Sequence, residues 1–360
     1  MWVHPKQLIP GCRLMKDVVG KTNNPIVMKN TVLAEQHIEI LHAFLIDNVE
    51  VSDRLANGKL FVPEELKEED IAKRVQVEED LSFEEMYLNT VKAYKQVFLN
   101  WQSGSPINMN QVRSIIIPLL KQIEQANLDL FLLHKYSSKD DYFYHHGVAN
   151  ALISGFLAKK MGYQKEWIQV GLAGFLADCG MSKININLFN KKGTLSLAEY
   201  EEIKKHPTYS YRMVEKIPSL SVEIKLAILQ HHERLDGSGY PLGMERSKIH
   251  GFASILAVSD TYHAMTSERI YQPKQSPFKV IEEMMFYQFD KFSHEVIQSF
   301  VKGLANFSTG TKVLLSNQKK AEIVFIEHSH PTRPMVRIED SQEILPLKDR
   351  QSIYIEEILV

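Results

Sequence analysis

The stretch SVEIKLAILQHHER, residues 221–234, places two adjacent histidines at the end of an apolar helical pattern. Ile224, Ile228 and His231 recur at i, i+4 and i+7, so they share one helix face that must be buried. His232 points about 100° around the same helix end. Two imidazoles splayed in this way can bind one metal ion or lean towards two neighbouring ions. For an isolated pair, a core histidine beside a surface histidine is the ordinary alternative.

Four further histidines and aspartates occupy comparable positions elsewhere in the chain. Asp260 falls on the apolar face of FASILAVSDTYHAMTS, where a carboxylate is costly to bury unless it is paired or metal-bound. His146 begins the apolar face of HHGVANALISGFLAKKMG, and Asp178 ends the apolar run KEWIQVGLAGFLAD. His206 precedes a proline that suits the first turn of a new helix. Helical folds build dinuclear metal sites from inward-facing positions of this kind.

The bulk composition limits the partners of the chain. Its 360 residues carry a net charge of −2, which gives no basic field to attract polymeric nucleic acid or an anionic membrane. Cys12 and Cys179 are far apart, which excludes a disulfide framework and a thiolate zinc site. The sequence starts without a signal peptide pattern, and its longest apolar run, near residues 114–120, is too short to span a membrane. We therefore expect a cytoplasmic protein with no membrane partner.

The chain is predicted to be mainly α, with small units at both ends. Residues 1–60 are predicted to form a small α+β unit and 61–135 a helical linker region that includes a charged segment. Residues 136–305 form the helical domain that carries the six side chains, and 306–360 a small β-rich unit with β-branched runs at regular spacing. The apolar helices within 85–135 could pair with each other or with a second subunit, so a homodimer is one interpretation.

The segment HHERLDGSGYP, residues 231–241, resembles the signature of the HD-GYP family. YFYHHGVANAL, LADCGM, NLFNKKGTLSLAEYEEIKKHP and AVSDTYHAMTSERIYQ match the same family in order and spacing, so the resemblance covers about residues 136–305. It implies an HD-type helical domain. It also implies a metal-dependent phosphodiesterase that hydrolyses the bacterial second messenger cyclic di-GMP.

The resemblance also implies a set of metal ligands, which are His146, Asp178, His206, His231, His232 and Asp260. Asp178 would bridge two ions and take part in catalysis, the three later histidines would complete one ion, and His146 with Asp260 would serve the other. Carboxylates combined with imidazoles suit iron or manganese. Two divalent ions about 3.5–4 Å apart generate hydroxide and stabilise an in-line displacement at phosphorus.

The motif loop contains Asp236, Gly237, Gly239, Tyr240 and Pro241. Its glycines permit backbone conformations that bulkier residues cannot adopt. The loop is expected to shape the cleft or to dock a signalling protein partner. A purely structural role is the alternative.

Two positions depart from the family pattern. The His-Asp pair that names the family is Ala177-Asp178 here, and the family's lysine three residues after the aspartate is Met181. An acidic residue that some relatives use for a third metal corresponds to Tyr142, which implies two ions at most. A methyl group cannot bind a metal, so the chain is interpreted as an impaired phosphodiesterase or as a non-catalytic cyclic di-GMP receptor or adaptor. A phosphohydrolase acting on another nucleotide is a further alternative, against which the GYP motif argues.

Arg269 and Lys274, in SERIYQPKQ, are the predicted substrate contacts, because cations can meet the phosphates of a cyclic dinucleotide. A solvated charged loop is the alternative for both. His145 is not expected to be a ligand. His263 is expected either beside the ligands or at the surface.

Overall fold

The computed structural model describes most of the chain. The residues outside the described part are 4, 20–24, 44–45, 47, 64–80, 125–128, 138, 190, 192, 269–273, 287–289, 305–308, 328 and 360. The charged segment of the predicted linker falls largely within 64–80 and so lies outside the described residues. The chain forms two compact units, residues 1–82 with 108–114 and residues 83–107 with 115–360. The domain boundaries placed at 60, 135 and 305 stay predictions.

The described residues of the first unit combine short strands with the helix Glu35–Ala43 around a core of their own. The elements of this unit are β1 (Trp2–Val3), β2 (Val18–Val19), β3 (Pro25–Val27), α1 (Glu35–Ala43) and β4 (Val49–Glu50). Strand β1 pairs with β4 and β2 with β3, and both pairs are antiparallel. Leu14, Leu41 and Val51 are completely buried in the core. The predicted small α+β structure is confirmed.

Helices make up most of the second unit. They are α2 (Phe83–Gln102), α3 (Met109–Lys121, which begins in the first unit), α4 (Asp129–Leu132), α5 (Tyr142–Lys160), α6 (Trp167–Leu176), α7 (Ile186–Phe189), α8 (Leu197–Ile203), α9 (His206–Val214), α10 (Val222–Gln230), α11 (Gly251–Thr266), α12 (Pro277–Phe286) and α13 (His294–Leu304). The predicted mainly helical domain is confirmed. None of the described helices is both long and apolar enough to cross a membrane.

The starts of three helices follow from local sequence chemistry. Helix α8 begins with a capping box, in which Ser196 Oγ accepts from the Glu199 N–H and the Glu199 carboxylate accepts from the Ser196 N–H. Ser221 Oγ accepts from the Ile224 N–H at the start of α10. Pro207 occupies the first turn of α9, where a missing N–H costs little.

Helix α5 is the central helix of the second unit. Every residue from Tyr144 to Ala158 is buried. A helix that is apolar on nearly all faces belongs inside the protein rather than at its surface. Helices α2, α6 and α11 pack around α5. Polar side chains at the start of α5 are therefore enclosed by other helices.

The chain ends in a five-stranded antiparallel sheet. Its strands are β5 (Lys312–Leu315), β6 (Lys320–Phe325), β7 (Met335–Ile338), β8 (Ile344–Pro346) and β9 (Ile355–Leu359), in the order β8-β7-β6-β5-β9. In the middle of the sheet, Val313 lies opposite Ala321 on one side and Ile358 on the other. All three are buried, because alternate residues of each strand face the core. The predicted β-rich C-terminal unit is confirmed.

Polar contacts attach this sheet to the helices. Arg333 Nη2 lies 2.7 Å from Glu282 Oε2 on α12, and Arg333 Nε lies 2.9 Å from Oε1 of the same carboxylate. Arg333 Nη1 also donates to the carbonyl of Ile353 at 3.0 Å. Lys135 Nζ donates to the carbonyl of Ile358 on β9 at 2.7 Å. A bidentate arginine–carboxylate pair fixes both partners in orientation.

Candidate metal centre

The six predicted ligands lie at the ends or inner faces of five helices. His146 lies in α5, Asp178 follows α6, His206 begins α9, His231 and His232 follow α10, and Asp260 lies in α11. The structure brings all six together in two groups, within each of which the candidate ligand atoms lie within 4.8 Å of one another. Five of the side chains are buried, and that of His232 is 14% exposed. Their role as ligands stays a prediction.

The first group is Asp178 with His206, His231 and His232. Asp178 Oδ1 lies 3.0 Å from His206 Nε2 and 3.6 Å from His231 Nε2. The two Nε2 atoms are 3.3 Å apart. The imidazole rings of the adjacent residues His231 and His232 lie with their centroids 4.1 Å apart. The group therefore gathers three imidazoles around one carboxylate.

Backbone carbonyls orient two of these imidazoles. His206 Nδ1 donates to the carbonyl of Ile203 at 2.8 Å, and His231 Nδ1 donates to the carbonyl of Ile228 at 2.7 Å. A carbonyl can only accept, so Nδ1 carries the proton and Nε2 of the neutral ring carries a lone pair. Two such lone pairs directed at the same carboxylate oxygen repel unless a cation or a proton lies between them. Histidines that bind metals are held by this kind of second hydrogen bond.

The second group is His146, Asp178 and Asp260. His146 Nε2 lies 2.9 Å from Asp260 Oδ1 and 3.6 Å from Asp178 Oδ2. Asp178 belongs to both groups, with Oδ1 towards the histidines of the first group and Oδ2 towards His146. His232 Nδ1 lies 3.5 Å from Asp260 Oδ2, so the groups are also close at a second point.

The charges of the cluster favour a bound cation. Burial alone would raise the pKa of Asp178, but the neighbouring imidazoles of His206 and His231 hold that pKa well below its usual range. Burial likewise opposes ionisation of Asp260, and the nearby His232 and His146 hold its pKa below the ordinary value. Burial and the neighbouring His231 lower the pKa of His232, which favours its neutral form. Burial lowers the pKa of His231, but its contact with Asp178 raises that pKa above the ordinary value, so a proton occupies the place that a cation would fill. Ionised carboxylates with imidazoles that lose such a proton when a metal binds are a donor set that fits divalent transition metals.

A glycine allows the helix that carries His206 to approach Asp178. A Cβ atom on Gly180 would lie 2.2 Å from the carbonyl oxygen of His206 and 2.4 Å from the amide nitrogen of Ser210. The Gly180 N–H donates to Ser210 Oγ at 2.8 Å, and Ser210 Oγ donates to the carbonyl of Ala177 at 2.6 Å. The turn after α6 and the helix α9 are thus joined directly beside the candidate ligands.

The motif loop folds back over the twin histidines. The Tyr240 N–H donates to the carbonyl of His232 at 3.2 Å, and the Tyr240 ring lies 4.7 Å from the His232 ring between centroids. A Cβ atom on Gly239 would lie 2.3 Å from the amide nitrogen of Arg234, so only glycine fits there. In the same loop, Asp236 Oδ1 accepts from the Ser238 N–H, Gly237 has a positive φ of 78°, and Pro241 follows Tyr240.

The buried Glu233 holds the part of this loop that follows Pro241, a role that the sequence pattern did not reveal. Its side chain is enclosed, with the residue only 2% exposed. Glu233 Oε1 accepts from the Leu242 N–H at 2.7 Å, and Oε2 accepts from the Met244 N–H at 2.9 Å. Its position directly after two candidate ligands in HHE was the available clue, because a buried acid needs partners.

Two more residues contact a candidate ligand. His263 Nδ1 lies 3.0 Å from His146 Nδ1, and the Tyr142 hydroxyl lies 3.3 Å from the same atom. His263 is 1% exposed, so it lies beside the ligands rather than at the surface. Its spacing of three residues from Asp260 puts both on one face of α11. His145 lies outside both groups, with its Nδ1 3.3 Å from the Tyr87 hydroxyl.

Of the two predicted substrate contacts, the structure describes Lys274 alone. Arg269 lies outside the described residues. Lys274 is exposed and lines a small pocket with His134, Lys135 and Glu356 beside the C-terminal sheet. Both stay predictions.

The departures from the family pattern can be located. Ala177 is completely buried next to Asp178, and Met181 lies in the 3-10 helix Cys179–Lys183. Lys183, the next cation in the chain, donates from Nζ to the carbonyl of Trp101 at 2.8 Å. It therefore binds backbone rather than standing free beside the carboxylates.

A protein-family model matches the part of the chain that contains the six candidate ligands. The model of a family described as HD domain matches residues 125–296. A cyclic di-GMP phosphodiesterase of Pseudomonas aeruginosa is 28% identical over 246 residues, which cover 68% of this chain and 59% of that protein. A cyclic di-GMP phosphodiesterase of Thermotoga maritima is 34% identical over 155 residues, 42% of this chain and 41% of that protein. The matches thus span less than two thirds of these curated relatives.

A second kind of phosphodiesterase and a solved structure are also similar to this chain. A 3'3'-cGAMP-specific phosphodiesterase of Vibrio cholerae is 30% identical over 162 residues, 45% of this chain and 37% of that protein. A solved structure from Bdellovibrio bacteriovorus, described as an HDG"Y"P protein, aligns with a TM-score of 0.49 and 15% identity over 83% of this chain and 97% of that chain. On the sequence matches, residues 125–296 are similar to the HD domain family, and the chain is similar to bacterial proteins named as cyclic di-GMP phosphodiesterases.

Proposed function

We propose that this chain is a dinuclear-metal phosphodiesterase that hydrolyses cyclic di-GMP, with activity reduced by the loss of the HD histidine. The observation that carries the proposal is the position of Asp178. Its two carboxylate oxygens face two different groups of candidate ligands, His206 and His231 on one side and His146 on the other. A carboxylate shared in this way is what a bridge between two ions requires.

The protein supplies an ordered ligand set for this chemistry. Asp178, His206, His231 and His232 would hold one ion, and His146, Asp178 and Asp260 the other. Two bound ions would supply a hydroxide nucleophile and stabilise negative charge on the phosphate during an in-line displacement. Iron and manganese are the metals we propose, because the set mixes carboxylate oxygens with imidazole nitrogens.

The residues around the candidate ligands fix the orientation of two imidazole rings and limit the access of water. The carbonyls of Ile203 and Ile228 fix the rings of His206 and His231, so those rings need no reordering when an ion binds. The ring of Tyr240 covers one side of His232 and limits access of water there. Asp178 would hold the ions close together and so place the nucleophile against the phosphorus.

The reduced activity is inferred from Ala177. Its methyl group leaves the second group with three protein ligands, His146, Asp178 and Asp260. Removing even a residue that supports a ligand commonly lowers metal affinity or activity by about 10–100-fold. Loss of a ligand is expected to have at least that effect. The substrate is inferred from relatives whose names specify cyclic di-GMP or 3'3'-cGAMP. We choose the former because the match to a cyclic di-GMP phosphodiesterase covers 68% of this chain and the match to the 3'3'-cGAMP-specific enzyme covers 45%.

The test is incubation of the purified chain with cyclic di-GMP and Mn(II) or Fe(II), with chromatography of the products and metal analysis of the protein. We expect about two metal ions per chain and slow formation of the linear dinucleotide or GMP. An Asp178→Ala variant serves as the inactive control. Metal-loaded protein that leaves cyclic di-GMP intact over long incubation contradicts the proposal.

The second candidate function is a non-catalytic receptor or adaptor for cyclic di-GMP. Ala177 and Met181 favour it, because both remove groups that the family uses for catalysis. Cyclic di-GMP that binds without turnover, to protein with little bound metal, would support this function. A partner protein at the motif loop and a homodimer stay predictions.

A further inference from the structure

Lys204 lies at the rim of the candidate metal centre, between two tyrosine rings. It directly follows α8 and comes two residues before His206. Its Nζ lies 5.5 Å from the centroid of the Tyr200 ring and 5.7 Å from that of the Tyr240 ring. The Tyr240 ring in turn lies 4.7 Å from the His232 ring. One aromatic ring therefore separates this ammonium group from a candidate ligand.

The two rings favour a cation at this point. The face of an aromatic ring attracts an ammonium group within about 6 Å of its centroid. The chain around Lys204 is also held in place: the capping box sets the start of α8, and the Tyr240 N–H is bonded to the carbonyl of His232. The helix that precedes Lys204 and the loop that carries Tyr240 are thus held in place before any ligand arrives.

The Lys204 ammonium group can exchange its present partner for a ligand at little cost in free energy. Its recorded partner is Glu201, with Nζ 2.7 Å from Oε1. The Glu201 side chain is 65% exposed and that of Lys204 28% exposed. A partly exposed pair of residues three positions apart contributes little to stability. A phosphate that reaches Nζ therefore competes with a weak contact.

Two other cations in this part of the protein are committed to interior contacts. Arg234 Nη1 donates to the carbonyl of Glu233 at 3.0 Å, and Arg234 Nη2 lies 3.3 Å from Thr261 Oγ1. Lys183 Nζ is bonded to the carbonyl of Trp101. Met181 supplies no charge at all. Lys204 is bound to an exposed side chain instead. Of Lys183, Lys204 and Arg234, it is therefore the cation best placed to meet a ligand.

We propose that Lys204 contacts a phosphate group of the nucleotide bound at the metal centre. The assignment rests on the proposed function, which brings a phosphodiester to this centre. The lysine acts as a point charge for the phosphate, and the rings of Tyr200 and Tyr240 hold it in position. Its role is to bind the substrate rather than to bind metal or transfer a proton.

The experiment compares Lys204→Gln with Lys205→Gln in the full chain loaded with Mn(II), using cyclic di-GMP as substrate. Lys205 is a matched control, because it is the adjacent lysine and forms the same kind of exposed pair, with Glu202 at 2.6 Å. We expect Lys204→Gln to raise KM by about tenfold or more, since a charged hydrogen bond is lost, while kcat stays within about twofold. Lys205→Gln is expected to match the wild type, and Lys204→Arg to restore most of the loss.

Two readouts separate substrate binding from a structural role. The metal content of Lys204→Gln should equal that of the wild type, and its KM should depend less on ionic strength, because one charge contact is missing. Equal KM values for Lys204→Gln, Lys205→Gln and wild type overturn the assignment, as does a loss of bound metal that accounts for the defect. Wild-type protein that cleaves no cyclic di-GMP refutes the proposed function and this assignment with it, so the two failures are distinguishable.

Discussion

Asp178 Oδ1 lies 3.0 Å from Nε2 of His206, an imidazole whose other nitrogen is already bonded to a backbone carbonyl. The ring is therefore fixed with its Nε2 towards the carboxylate. His231 repeats the arrangement from a different helix. Two rings fixed by main-chain atoms and directed at one oxygen form a preorganised site for a cation.

Replacing Asp178 should affect both candidate ions. In Asp178→Asn the shared carboxylate becomes a neutral amide of almost the same size. We expect bound metal to fall from about two ions per chain to well below one, with at least a 100-fold loss of activity. Elemental analysis and a phosphodiesterase assay measure the two effects. Asp340→Asn, at an exposed turn of the C-terminal sheet, is the control. Full retention of two ions in Asp178→Asn would exclude the bridging role.

Restoring the family histidine should increase activity. Ala177→His places an imidazole directly before Asp178, at a completely buried position. We expect about a tenfold or greater gain in turnover and tighter metal binding. The larger side chain is expected to cost about 1–3 kcal/mol of folding free energy, so thermal unfolding is measured in parallel. Ala177→Gln is the control of similar size, and an equal response of both variants would show that a ligand was not restored.

Gly180 is predicted to be required for the approach of α9. In Gly180→Ala the new methyl group would collide with the carbonyl of His206 and the backbone of Ser210. We expect a loss of about 1–3 kcal/mol in the free energy of unfolding, together with weaker metal binding, because His206 moves away from Asp178. Gly193→Ala is the control, since its nearest neighbour would be Lys191 Cε at 3.9 Å. Denaturant titration and metal analysis test the pair. Similar behaviour of the two variants would argue against this packing role.

Glu233 is predicted to stabilise the motif loop. Glu233→Gln keeps one oxygen but turns an amide NH₂ towards the N–H of Leu242 or Met244. One buried donor then lacks an acceptor, at a cost of about 1–3 kcal/mol. Faster amide exchange at Leu242 and Met244, measured by mass spectrometry, should accompany the lower stability. The exposed Glu245→Gln is the control, and unchanged exchange in Glu233→Gln would refute the anchoring role.

Removal of metal should destabilise the second unit. An ion present at 100 times its dissociation constant stabilises the folded state by about 2.7 kcal/mol. We therefore expect a chelator to lower the midpoint of thermal unfolding of the wild type, and Mn(II) to restore it. The midpoint of Asp178→Asn should respond much less to either addition. An identical response of both proteins would place the metal elsewhere.

Much of the candidate ligand set was accessible from the sequence because its members lie on apolar helical patterns. Asp260 on a buried stripe and His231 at the end of another are conspicuous for a simple reason, namely that buried polar groups need partners. The residues that support the ligands were harder to find. Glu233 bonds backbone amides across the motif loop, and His263 contacts His146 from another helix. Neither contact has a periodic pattern, because each depends on how separate segments meet.

The sequence by itself determined the local structure: the helices, the alternating strands of the C-terminal sheet, and the histidines and aspartates placed on inner helix faces. Periodicity of 3.6 or 2 residues is a property of neighbouring positions, so it can be read along the chain. Only the tertiary structure decided that Asp178 stands between two ligand groups, that Nε2 rather than Nδ1 of His206 faces it, and that Lys204 reaches Tyr240. Those relations arise from the packing of helices distant in sequence, and packing depends on the shapes of all the side chains between them.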